Sequence, residues 1–126
     1  MPDNRFDQGM RIRRAILGDA HVDRREAEKT DFDANFQRFI TENIWGDVWR
    51  GDALDRRDRS LITLALLTAL GQQEELAMHI RATENTGVTR EELRELLLHV
   101  AAYVGVPAGN AAFKTAKQVL EADQGA

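Results

Sequence analysis

Two carboxylate–imidazole pairs stand four residues apart in this chain: Glu75 with His79, and Glu95 with His99. On a helix that spacing puts both members on one face, with Cβ atoms about 5–6 Å apart. A carboxylate that holds one ring nitrogen fixes the tautomer and raises the basicity of the imidazole, which makes an oriented proton donor or acceptor. Most such pairs are solvated neighbours, so context separates these two. His79 follows Leu76 and Met78 and is placed to point into a cavity. His99 lies within Leu96-Leu97-Leu98-His99-Val100, the setting of a core histidine. His21 sits in a polar stretch and reads as surface.

Arg56, Arg57 and Arg59 crowd the start of an apolar helical run, with Arg50 just upstream. Positive charge there opposes the helix dipole. It gains a reason if the cluster and the free N–H groups bind an anion. A solvated face balanced by Asp52, Asp55 and Asp58 is the plainer reading and suits Arg57. Arg59, next to the apolar run, is the arginine best placed to reach inward. Trp45 and Trp49 flank a Gly-Asp turn, as packing anchors or as pocket walls. Ser60 has no GxSxG elbow around it and is not expected to be a hydrolase nucleophile. No HExxH or other metal-ligand spacing occurs, so no metal site is expected.

The 126 residues contain no cysteine, which excludes disulfides, thiolate nucleophiles and thiolate metal sites. Net charge is −4, so the basic footprint that general nucleic-acid binding needs is missing. Fourteen arginines stand against three lysines, an excess that suits bidentate carboxylate recognition and equally a coding bias. No targeting segment is visible, and Leu61 to Leu70 covers roughly half the ~20 residues of a membrane helix. A soluble cytoplasmic protein with no membrane or nucleic-acid partner is expected.

Helix formers dominate the composition and no stretch alternates with the period of a strand. The pattern predicts an all-α fold, a compact bundle of about six helices in one domain over 1–126. Helices are expected over 4–17, from a cap at Asp31 through Phe32, Phe36, Phe39, Ile40 and Ile44, over 56–70 behind Asp55, over 73–86, from Thr89 to about Val104, and from Pro107 to about Ala122. Residues 18–30 read as a polar surface excursion. Thr89-Arg90-Glu91-Glu92 has the form of a capping box. Gly18, Gly71, Gly87 and Gly105 are placed to end helices. The helix over 56–70 is apolar all round, which predicts burial all round: at the centre of the bundle, against another subunit, or both.

Several stretches, in order, resemble the carboxymuconolactone decarboxylase family: Arg56-Arg57-Asp58-Arg59-Ser60-Leu61-Ile62-Thr63-Leu64, Glu74-Glu75-Leu76-Ala77-Met78-His79, and Gly87-Val88-Thr89-Arg90-Glu91-Glu92. Phe36-Gln37 through Trp45-Gly46-Asp47-Val48-Trp49, and Leu97-Leu98-His99 through Tyr103 to Asn110, resemble its decarboxylase branch. Relatives in the same superfamily, the alkyl hydroperoxide reductase D-like proteins, carry a CxxC followed by a histidine four residues on. Here Gln72 and Glu75 stand in those two places, so the thiol peroxidase chemistry is excluded.

The resemblance implies an alkyl hydroperoxide reductase D-like fold and a homo-oligomer, commonly a hexamer built as a trimer of dimers. It implies cofactor-free loss of CO₂ from γ-carboxymuconolactone, a dicarboxylate lactone of protocatechuate catabolism, giving β-ketoadipate enol-lactone. The substrate supplies its own electron sink, since the electrons left by CO₂ run through the ring double bond to the lactone carbonyl. On this reading Arg59, with Arg56 or Arg81, anchors the side-chain acetate. Trp45, Trp49 and Leu64 offer apolar surface to the departing carboxylate, and Ser60 also contacts substrate. His79, oriented by Glu75, donates the proton. His99 and Tyr103 are second choices for holding the oxyanion. The rival readings are a non-catalytic helical ligand-binding or scaffold homologue, and a lactone isomerase or hydrolase.

Overall fold

The computed structural model describes residues 4–125; residues 1–3 and 126 of the expected domain lie outside them. Among the described residues every regular element is helical, which bears out the all-α expectation, but the helices number eight rather than six. They gather into two compact units, Met1–Arg56 and Arg57–Ala126.

In the first unit, α1 (Arg5–Leu17) starts at Asn4, whose side chain accepts the Asp7 N–H at 3.1 Å. Ile12 and Ile16 are its buried apolar positions. The stretch expected as an excursion is a helix, α2 (Asp19–Glu28). One residue of it, Val22, is fully buried. The rest is held by charge. Arg14 donates to Asp19 at 3.0 Å and Asp23 at 2.8 Å, and the buried Arg13 donates to Glu26 at 3.3 Å.

The next helix starts later than expected. Asp33, not Asp31, stands at the N-cap of α3 (Ala34–Ile40), and its carboxylate accepts the Thr30 N–H at 2.8 Å. Phe32, Phe36 and Phe39 do not form a buried face; they are 99, 61 and 55 % exposed. α3 runs directly into a π-helical turn (Thr41–Trp45), followed by a 3-10 turn (Val48–Arg50). A Cβ at Gly9 would collide with the Thr41 carbonyl oxygen, and one at Gly46 with that of Arg5. Helix α1 therefore meets the π turn backbone against backbone. Arg5 to Asn43 (3.0 Å) and Arg50 to Gln8 (2.7 Å) brace the same contact.

The second unit holds α4 (Arg56–Leu70), α5 (Gln73–Arg81), α6 (Thr83–Thr86), α7 (Arg90–Val104) and α8 (Val106–Gly125). The single helix expected over 73–86 divides at Ala82. The capping box of α7 is present in both directions: Glu92 N–H to Thr89 Oγ1 at 3.1 Å, and Thr89 N–H to Glu92 Oε1 at 2.9 Å. The other oxygen of Glu92 takes Arg57, so that arginine is balanced by a helix start as well as by Asp58. Gly18, Gly71, Gly87 and Gly105 all have positive φ at helix ends, as expected.

The core of this unit is Leu64, Leu76, Ile80, Val88, Leu93, Leu97, Ala112, Ala116 and Val119. Helix α4 is not buried all round. Ser60, Leu64 and Thr68, each one turn from the next, face inward, while Ile62, Leu66 and Leu70 are 46, 56 and 68 % exposed. An inward face with two hydroxyls is tolerated because the hydroxyls are satisfied: Thr68 donates to the Leu64 carbonyl at 2.8 Å, and Ser60 accepts from Thr86 at 3.0 Å.

Candidate active site

Helices α4, α5 and α7 position most of the candidate residues, and burial sorts them. His79 is 6 % exposed on the face of α5 that carries Leu76 and Ile80 into the core. Glu75, one turn earlier, is exposed, as is Arg81 two residues after His79. A buried imidazole on an element with exposed flanking charges has one side in low dielectric, where its proton is worth more to a bound anion than it would be in water.

On α4 the expected cluster divides in the same way. Arg56 is exposed, Arg59 is half-buried and Ser60 is fully buried. Arg59 Nε is enclosed and has no hydrogen-bond partner among the described residues. Burying an unpaired guanidinium nitrogen costs free energy that an incoming carboxylate would recover. Ser60 is engaged with Thr86, so its hydroxyl is a structural acceptor. Leu64, offered as apolar surface for the departing carboxylate, is at 0 % exposure in the core. α4 and α5 share that core, because Leu64 packs in one cluster with Leu76 and Ile80.

His99 is not a core histidine. Its helix turns Leu93, Leu97 and Val100 inward and leaves His99 outside, stacked on Tyr103 with ring centroids 4.9 Å apart. Tyr103 is 81 % exposed. The pair is a surface platform at the C-terminal end of α7. Glu95, its expected partner, is exposed. In the first unit Trp45 and Trp49 are both buried and tilted against each other at 4.9 Å. Gln72 stands just before α5 and Glu75 in its first turn. Among the described residues no group of three or more His, Asp or Glu side chains is close enough to hold a metal ion.

Thr86 is the residue that sequence reasoning missed. It lies 26 positions from Ser60 and carried no local signal of the buried hydroxyl pair.

The family model for the carboxymuconolactone decarboxylase family matches residues 34–118. The chain is similar to a 4-carboxymuconolactone decarboxylase of Acinetobacter baylyi, 46 % identical over 94 % of this chain and 89 % of the relative. It is similar to a nitrosuccinic acid decarboxylase of Metarhizium robertsii, 42 % identical over 81 % of this chain and 71 % of the relative. A 4-carboxymuconolactone decarboxylase sequence of Pseudomonas putida is 54 % identical over 34 % of this chain and 90 % of that sequence.

Proposed function

The chain belongs to the carboxymuconolactone decarboxylase family, and on that premise we propose that it is a carboxy-lyase acting on 4-carboxymuconolactone. The observation that carries this is the 46 % identity to a decarboxylase of that name across nearly the whole chain. The bond from the ring carbon to its carboxylate breaks and CO₂ leaves. The electron pair passes through the ring double bond to the lactone carbonyl oxygen, and a proton is added at the carbon next to the carbonyl. The product is the enol-lactone, and solvent restores the proton. The substrate is its own electron sink, so the reading requires no cofactor.

Arg59 is the proposed anchor of the acetate arm, assisted by Arg56 or Arg81, because the residue is half-buried and its Nε has no partner among the described residues. His79 is the proposed proton donor. Glu75 sets the local charge at the mouth of its helix. A preorganised donor at the developing oxyanion is worth about 3 kcal/mol of transition-state stabilisation. His99 and Tyr103 can serve that role only if something covers them. The exposed row Ile62, Leu66 and Leu70 supports pairing of this chain with a second copy. A homo-oligomer, a hexamer in its fullest form, is part of this reading. The location proposed is the cytoplasm, and among the described residues no helix is long and apolar enough to cross a membrane.

The relative that acts on nitrosuccinic acid favours a second substrate. Nitrosuccinate is also a dicarboxylate that loses CO₂ beside an electron acceptor, with the nitro group in place of the lactone carbonyl. Incubating the purified protein with each compound and following CO₂ decides between them. Release from the lactone at the higher kcat/KM is expected. Release only from nitrosuccinate moves the assignment. Release from neither, in a folded protein, leaves a binding homologue or an enzyme for another lactone.

A further inference from the structure

Helices α7 and α8 pack in the second unit with a short groove of about 180 Å³ between them. Its floor is apolar: Leu93 and Leu97 from α7, Phe113, Ala116 and Leu120 from α8. Its rim is cationic: Arg90, Arg94 and Lys117. No carboxylate lines it, and none of the three cations makes an ion pair among the described residues. Glu121, one turn beyond Lys117, borders a neighbouring cleft that Lys117 and Phe113 also line, and does not line the groove itself.

This arrangement is costly as it stands. Arg90 and Arg94 are like charges one turn apart, which destabilises a helix, and Arg90 sits at the positive end of the α7 dipole. An anion on the rim relieves both. A second copy of the same face would not, because it would bring the same three cations against themselves. The floor adds the other half of the requirement, since apolar surface gains only from an apolar body.

We propose that the α7–α8 groove is a binding site for a small amphiphilic carboxylate, its apolar tail on the partly exposed Phe113 and Leu120, beside the buried Leu93 and Leu97, and its carboxylate between Arg90, Arg94 and Lys117. The site is separate from the proposed catalytic residues and does not depend on the decarboxylase reading. The groove is short, which suits a medium-chain fatty acid or an aromatic acid rather than a long lipid.

The test uses the full chain, isotope-labelled, titrated with octanoate below its micelle concentration and followed by amide chemical shifts. Expected are saturable shifts confined to α7 and α8, none with acetate, and none there with octylammonium. Arg94→Gln and Lys117→Gln are exposed changes that should leave the fold and the CO₂ assay intact. Each should weaken octanoate binding about two- to fivefold, as the loss of one exposed ion pair does. Octylammonium binding as tightly as octanoate, shifts scattered over the protein, or a double variant that binds like the wild type would overturn the site.

Discussion

At the scale of single residues the proposed chemistry rests on two side chains, His79, buried between exposed charges, and Arg59, whose enclosed Nε has no partner among the described residues. His79→Gln keeps a polar side chain of similar reach and removes the titratable imidazole proton. It should lower kcat by about 10²-fold or more, with helix content unchanged by circular dichroism. Turnover near wild type would remove His79 from the mechanism. Arg59→Lys keeps the charge and loses the bidentate fork, so KM should rise while kcat stays close to normal. A fall in kcat at unchanged KM would point to a structural role. Of these two, His79 was legible from the sequence through its apolar neighbours. His99 was not, because Leu96-Leu97-Leu98 presents three consecutive apolar residues and hides which of them faces inward. Helix phase, set by Leu93, Leu97 and Val100, put the histidine outside.

Elements with a strong local signature were legible, and those assembled by long-range charge were not. The start of α7 could be read from Thr89 and Glu92 alone, since a capping box satisfies two orphan donors within four residues. Thr89→Ala should destabilise the protein by about 1 kcal/mol in urea unfolding. α2 escaped notice because hydrophobic periodicity says little about a helix with one buried apolar residue. It stands on ion pairs to α1 that no spacing rule predicts. The Glu26 carboxyl shows the balance: burial pushes it up, but hydrogen bonds from Lys29 and Arg13 outweigh burial and hold it below its ordinary value. A carboxyl lowered by folding stabilises the fold above its unfolded value, about pH 4, and the contribution fades as pH falls through the lower folded value. Glu26→Gln leaves Arg13 buried without its carboxylate. It should cost about 1–3 kcal/mol at neutral pH, as leaving a buried donor without its partner does, and flatten the loss of stability in acid. Urea midpoints at pH 7 and pH 3 test this, and an equal acid sensitivity in both proteins would clear Glu26 of the role.

For the molecule as a whole, the exposed apolar row on α4 is where the proposed assembly can be tested. Leu66→Glu places a charge where the side chain is already 56 % exposed, so folding should survive while the proposed contact does not. Light scattering should show a smaller particle than wild type; an unchanged mass would place the contact elsewhere. The sequence announced this row as surplus hydrophobicity, and only the fold could say which third of the helix was left uncovered. The meeting of α1 with the π turn carries a different consequence. Gly9 and Gly46 let two backbones touch across more than thirty residues of chain, and neither segment can loosen without parting from the other. The amides of α1 and of Thr41–Trp45 should therefore exchange with deuterium together, at one rate, as a single opening event rather than as two fraying ends.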